Sequence, residues 1–335
     1  LMVDLGISFP DESMPGVDVV LPDLQFIESR KDKLEAIILT HAHEDHFGAI
    51  QYLWKRLSVP VYGTAFTLAL LRRKLAESRL DYKIPLHELD FNITYDFGPI
   101  SVELVQLTHS VPDPAALVLR SDEGVILHTG DWKFDENPML GEDTDRERLR
   151  QIGEEGVMAL IGDSTNAMVD GYTPSEAVAR QGLTDVIAES KGLVAVTCFA
   201  SNVARLESII AAAVANNRSV CVVGRALNRT IGAARDTGYL ADIPDFVSEL
   251  EVSLIPRNHT VVICTGSQGE PRAAMAKIAA GVHETIELQS GDTVIYSSRQ
   301  IPGNEPAITR VQDMLVRRGI NLITDDDRPV HVSGH

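Results

Sequence analysis

Short apolar runs divide this chain into two regions with different rhythms. Up to about Asn166 the runs are brief and unevenly spaced. Strands are predicted over residues 36–40, 59–62, 100–105, 116–119 and 125–128, each rich in Val, Ile or Leu. Helices are predicted over 47–57 and 64–79, the second ending in a mixed-charge surface. The opening Leu1-Met2-Val3-Asp4-Leu5-Gly6 reads as the inside of a strand, so the chain is expected to begin mid-domain, without a signal peptide. Strands and helices in this mixed order imply sheets covered by helices. From roughly 170 to 324, strand and helix alternate regularly. Near-continuous β-branched runs at 193–199, 219–223, 260–264 and 293–297 fit strands buried on both faces of a parallel sheet.

Composition changes this picture only at its edges. With 335 residues the chain can fill two cores, and 44% hydrophobic with 23% charged residues is a soluble, globular balance. No apolar run approaches a membrane span, and no membrane partner is expected. The three cysteines, Cys198, Cys221 and Cys264, sit in apolar runs without metal-cluster spacing, which predicts buried free thiols in a reducing cytoplasm. A formal net charge of −18 argues against passive attraction to nucleic acid. It does not exclude a nucleic-acid enzyme, since bound metal ions and a few arginines can make one cleft locally positive.

The chemistry is concentrated in His41-Ala42-His43-Glu44-Asp45-His46, directly after the strand at 36–40. Alternate side chains of an extended segment share a face, so His41 and His43 can grip one metal ion. Asp45 and His46 lie past that alternation, where the chain turns helical, and suit a second, adjacent ion. This mixture of nitrogen and oxygen donors fits zinc, with manganese or magnesium possible at an oxygen-rich position. His109 and Asp131 also end apolar strands, and an Asp placed so can set its carboxylate between two ions. In isolation either would read as a turn former or capped polar group. Among the ten histidines, His87, His128, His259 and His283 match no motif and read as packing or surface residues.

His-x-His-x-Asp-His, then a lone His, then an Asp, each at a strand end, resembles the metallo-β-lactamase superfamily and its αββα sandwich. The resemblance implies that His41, His43 and His109 hold one metal, that Asp45 and His46 help hold the other, and that Asp131 bridges them. It also casts Asp4 as a carboxylate that orients the ligands. Two ions roughly 3.5–4 Å apart would activate a shared water and neutralise charge on an attacked phosphate. An ester, thioester or β-lactam could be attacked in the same way.

The second region narrows the substrate. Its polar turns follow the C-terminal ends of parallel strands, where open α/β sheets bind ligands. Neither Gly-x-Gly-x-x-Gly nor a Lys-containing phosphate loop is present, so a dinucleotide or NTP site is unsupported. Asp163-Ser164-Thr165-Asn166, Thr265-Gly266-Ser267-Gln268-Gly269-Glu270, Pro302-Gly303-Asn304-Glu305 and His331-Val332-Ser333-Gly334-His335 are similar to strings of the ribonuclease J family. That family lies in the β-CASP branch of the superfamily, where a parallel α/β domain is inserted into the core. The resemblance implies a core over 1–168, a β-CASP domain over 169–325 and a return segment over 326–335. It implies RNA, preferably 5′-monophosphorylated, in a cleft between the two domains. His331, Ser333 and Gly334 would grip a phosphate, while Ser201, Asn202, Arg225 and Ser267 would touch the RNA backbone. His335 would be the general acid, with Asp163 as its partner, so that Asp45, His335 and Asp163 form the candidate catalytic set.

The reading is therefore a cytoplasmic, two-metal ribonuclease with 5′-to-3′ exonuclease and endonuclease action, homo-oligomeric as a full-length dimer or tetramer. The alternatives are a small-molecule metallohydrolase, of thioesterase or lactamase type, and a non-catalytic RNA-binding paralogue. The family carries one more metal-binding histidine downstream of residue 335, together with a dimer-forming C-terminal domain. The 335-residue segment by itself is accordingly expected to retain its second metal weakly and to have poor activity. Elemental analysis after dialysis checks this, and two tightly held ions per chain would overturn it.

Overall fold

The first sheet is built from strands of only two or three residues. In a computed structural model describing residues 1–10 and 14–335, β1 (Met2–Val3), β2 (Ile37–Ile38), β3 (Val61–Gly63) and β4 (Leu86–Glu88) form a parallel sheet in that order. A second sheet joins β5 (Thr94–Phe97), β6 (Ile100–Gln106), β7 (Ala115–Ser121), β8 (Gly124–His128) and β9 (Ala159–Ile161). Its first four strands run antiparallel, and β9 adds parallel to β8. Both sheets belong to one compact unit comprising Leu1–Glu136, Gly141–Thr173 and Gly334–His335.

Alternation along β6 and β7 explains the layering of this unit. Val102, Leu104, Ala115 and Leu117 pack with Ala36 and Ile38 of the other sheet's side. The intervening Val105, Ala116 and Val118 pack instead with Ile152 and Leu149 of α5 (Arg146–Glu155). Both faces are thus buried, and Glu103 of β6 is accommodated there by ion pairs to Arg120 and Arg148. Three further helices precede α5 on the other side of the chain order: α2 (Glu44–Phe47), α3 (Ile50–Leu57) and α4 (Ala65–Glu77), after a single turn, α1 (Gln25–Glu28). α4 packs on β3 and β4.

The helix expected over 47–57 is broken at Gly48-Ala49 and starts earlier. The Leu5 N–H donates to the His46 carbonyl, the Ile7 N–H to the Glu44 carbonyl, and the Ala49 N–H to the Leu5 carbonyl. The segment after β1 thereby takes backbone partners that a continuous helix would use for itself. Sequence periodicity carries no trace of such a distant competitor. β4, β5, β9 and α5 were not legible either. β4 and β9 are short and lie at sheet edges, and α5 offers only a narrow apolar stripe.

The second unit, Asn137–Leu140 with Pro174–Ser333, is built on one all-parallel sheet. Its strands are β10 (Val194–Thr197), β11 (Ser219–Val223), β12 (Thr260–Cys264), β13 (Thr293–Tyr296) and β14 (Asn321–Ile323), in the order β11-β12-β10-β13-β14. The helices are α6 (Glu176–Glu189), α7 (Val203–Ala215), α8 (Arg225–Asp236), α9 (Ala274–Ala280) and α10 (Glu305–Arg317). One face of the sheet, Ala195, Val262, Cys264, Val294 and Tyr296, packs with Met275, Ile278, Ile308 and Leu315 of α9 and α10. The alternate positions Val194, Val196, Val261, Ile263 and Ile295 are buried as well.

Cys198, Cys221 and Cys264 are buried and unbridged, as their apolar surroundings predicted. Burial pushes the Cys198 and Cys221 thiols up to about 12, so they are inert near neutral pH. Among the described residues, no helix is long and apolar enough to cross a membrane. The fully buried Leu104 lies at the centre of the first unit's core. Leu104→Ala is expected to lower stability by about 2–5 kcal/mol in urea unfolding, and a loss below about 1 kcal/mol would contradict the packing described.

Candidate metal centre

Asp4 is the root of the centre. It follows β1 in the left-handed region, at φ 58°, and its carboxylate reaches across to the end of β2. Oδ1 accepts from the Thr40 N–H at 2.8 Å, while Oδ2 accepts from Thr40 Oγ1 at 2.8 Å and from His46 Nδ1 at 2.7 Å. A carboxylate can only accept, so these contacts fix protons in a chain. Thr40 Oγ1 gives its proton to Asp4 and must accept from His41 Nδ1, 3.0 Å away. His41 Nε2 is then a bare lone pair.

The same logic applies at His109, which follows β6. His109 Nδ1 lies 2.7 Å from the Gly334 carbonyl, another pure acceptor, so its proton sits on Nδ1 and Nε2 is bare. Both lone pairs face one atom: His43 Nδ1 is 3.0 Å from His41 Nε2 and 3.2 Å from His109 Nε2. His43 occupies the N-cap position of α2 in an extended conformation, which keeps it on the same face as His41. With Asp131, these three imidazoles offer ligand atoms all within 4.8 Å of one another. Asp131 follows Gly130, whose φ of 59° turns the chain after β8. Asp131, Asp45 and His46 form a second such group, and Asp131, Asp163 and His335 a third.

The electrostatics favour a cation here. Burial, reinforced by the neighbouring imidazoles, holds His41 and His109 well below the ordinary histidine value. Burial likewise lowers His43 to about 3. All three are neutral at pH 7, as metal ligands must be. His46 behaves oppositely: burial would lower it, but hydrogen bonds to Asp131 and Asp4 outweigh that and raise it to about 10. Asp131, despite burial that would raise it, is held well below the carboxylate range by His46. The negative potential of Asp4 and Asp131 that holds a proton on His46 also favours a divalent cation, which would displace that proton on binding His46 Nε2. Nitrogen lone pairs converging on one point, beside an acidic flank, match the donor set of one or two such ions. Glu44, the other carboxylate of the loop, is taken up by an ion pair with Lys74.

Beside this cluster, His335 Nδ1 lies 2.6 Å from Asp163 Oδ2, and the His335 ring stands edge-on to His109 with centroids 5.0 Å apart. Burial would raise the Asp163 carboxyl, but hydrogen bonds from His335 and Thr165 outweigh it and keep it below the ordinary value. The backbone is held too, since the His335 carbonyl accepts from Asn166 Nδ2 at 3.0 Å and from Thr173 Oγ1. Asp163 and Asn166 of the Asp-Ser-Thr-Asn string therefore both serve His335. Gly334 has a task that its motif did not reveal. Its carbonyl fixes His109, and a Cβ there would sit 2.9 Å from His109 Cε1.

In the second unit, Ser201, Asn202, Arg225 and Ser267 all follow C-terminal ends of the parallel strands. Arg225 is exposed and Ser201 half-buried. The Asn202 side chain caps α7 by accepting from the Arg205 N–H at 2.8 Å, and Ser267 is 2% exposed. His331 and Ser333 are half-buried, and His331 Nδ1 lies 2.9 Å from Arg205 Nη1. Of the unmatched histidines, His87 stacks on Tyr62 and His128 accepts from the Gly130 N–H.

Asp4 orients two imidazoles at once, so Asp4→Asn should weaken divalent-metal affinity about 10- to 100-fold, measured by competition with a chelator. An unchanged affinity would remove Asp4 from the centre.

A model of the metallo-beta-lactamase superfamily matches residues 1–174, and one of the ribonuclease J beta-CASP domain matches residues 191–315. The chain is 48% identical over 335 residues to a ribonuclease J of Sinorhizobium meliloti, covering 100% of this chain and 59% of that one. It is 43% identical to a ribonuclease J of Mycolicibacterium smegmatis and 40% to ribonuclease J2 of Bacillus subtilis, again over 100% of this chain and 60% of each relative. The chain thus spans about three-fifths of these curated relatives. A crystal structure of a protein of unknown function from Enterococcus faecalis superposes with a TM-score of 0.65 at 19% identity, over 99% of this chain and 83% of that one. That likeness is one of fold. The chain belongs to the metallo-β-lactamase superfamily, and it carries a β-CASP domain of the ribonuclease J type.

Proposed function

We propose that this chain is the nuclease portion of a metal-dependent ribonuclease that hydrolyses RNA phosphodiesters by water attack. The observation that supports this best is the convergence of His41 Nε2, His43 Nδ1 and His109 Nε2 beside Asp131, with His335 and Asp163 at its margin. His41, His43 and His109 would hold one ion, Asp45 and His46 a second, and Asp131 both. Two divalent ions there, zinc first and manganese or magnesium as substitutes, would bring the pKa of a nearby water toward neutrality and offset charge on the attacked phosphate.

The chain's own groups supply the rest. Asp45, the carboxylate of the candidate catalytic set, and Asp131 are available to orient the attacking water as well as the ions. Asp163 accepts from His335 Nδ1 and supports the imidazolium form, whose Nε2–H is the proton delivered to the departing oxygen. No serine or cysteine nucleophile is required, in keeping with the inert, buried thiols. His331 and Ser333 are assigned to a substrate phosphate, and Arg225 and Ser201 to the RNA backbone. A preference for 5′-monophosphorylated ends, combined exonuclease and endonuclease action, a cytoplasmic setting and a homo-oligomer in the longer protein complete the proposal.

His43→Ala in the full-length protein is expected to lower cleavage of labelled 5′-monophosphorylated RNA by at least about 10³-fold while RNA binding stays within about threefold. Hydrolysis of a thioester by the unsubstituted enzyme, with none of the RNA, would replace this reading with that of a small-molecule hydrolase.

A further inference from the structure

Arg205 is the largest fully buried side chain among the described residues, at 0% exposure. Charged groups are rarely placed so without a complete set of partners. Glu176 takes two of its donors, from Nε at 2.6 Å and from Nη2 at 2.9 Å, which neutralises the charge. Nη1 contacts Ser297 Oγ at 2.8 Å, the Ser297 carbonyl at 3.0 Å and His331 Nδ1 at 2.9 Å. Nη2 also reaches the Val332 carbonyl at 3.2 Å, and Ser297 Oγ donates to the Val330 carbonyl at 2.6 Å. Residues 330–332 are thus moored to α7 and to the end of β13.

The place matters. β10 and β13 are neighbours, but the chain leaves β10 toward β11 on one side and β13 toward β14 on the other. This is the switch point of the sheet, outside whose carboxyl ends parallel α/β folds bind ligands. Arg205 follows β10 and Ser297 follows β13. A guanidinium can only donate, so His331 Nδ1 must be its acceptor and the imidazole proton must sit on Nε2.

We propose that Arg205 is a positioning residue that locks His331 as the Nε2–H tautomer, so that a neutral imidazole donates to a substrate phosphate from a prearranged segment. The inference rests on the assignment of His331 to a phosphate. Arg205 is not itself a phosphate clamp, because its charge is matched by Glu176 and none of it is exposed.

Two measurements on the full-length protein test this. Magic-angle-spinning NMR of ¹⁵N-histidine protein, with His331 identified by its loss in His331→Ala, should find Nδ1 unprotonated and Nε2 protonated at neutral pH. A proton on Nδ1 overturns the inference, and this readout needs no Arg205 variant to fold. Kinetics on 5′-monophosphorylated RNA should then find that Arg205→Lys raises KM about tenfold with kcat within about twofold, since Lys keeps the charge beside Glu176 but cannot reach every partner. A fall in kcat and melting temperature with KM unchanged would mark a merely structural role and overturn the proposal. If His331→Ala itself leaves KM unchanged, the phosphate assignment fails and the inference goes with it, whatever the tautomer.

Discussion

One carboxylate sets the geometry on which the candidate centre depends. Asp4 accepts three hydrogen bonds, from the Thr40 N–H, the Thr40 hydroxyl and His46 Nδ1, and through them aims two imidazoles. It does so from the left-handed backbone region, which costs a residue with a Cβ about 1–2 kcal/mol. Three hydrogen bonds at roughly 1 kcal/mol each offset that cost. Two segments more than thirty residues apart are thus tied to one another by an atom pair. The ladder between β1 and β2, only two residues long, would hold them loosely alone.

The protons then follow from acceptors that have no choice. The Asp4 carboxylate and the Gly334 carbonyl each take an Nδ1–H or a hydroxyl proton, and this empties His41 Nε2 and His109 Nε2 toward His43. Burial keeps these imidazoles neutral, while His46, between two carboxylates, binds its proton tightly. The centre is therefore a local sink for positive charge within a chain whose formal net charge is −18. Divalent cations bound there would offset part of that negative charge locally.

Much of this was legible in the chain. The His41–His46 string, the strand-end His109 and Asp131, and the change of rhythm near residue 170 are local features, and local features survive in one dimension. Asp4 was legible only through resemblance, since a lone Asp after a strand carries no spacing signal. The break at Gly48-Ala49 was hidden because its cause is the Leu5 backbone, more than forty positions away. Arg205 was invisible for the opposite reason. An arginine in the first turn of an apolar helix reads as a surface residue, and nothing local reports that Glu176, Ser297 and His331 surround it. Gly334 reads as a member of a phosphate-gripping string, whereas its carbonyl contact with His109 emerges only when the chain's last residues are placed in the first unit.

Three imidazole nitrogens converge on one point, where a single ion would sit. Anomalous diffraction at the zinc edge, from crystals grown with zinc, tests it most directly. A peak is expected about 2.0–2.1 Å from His41 Nε2, His43 Nδ1 and His109 Nε2 together. A peak that reaches fewer than all three, or no peak among them, would contradict it.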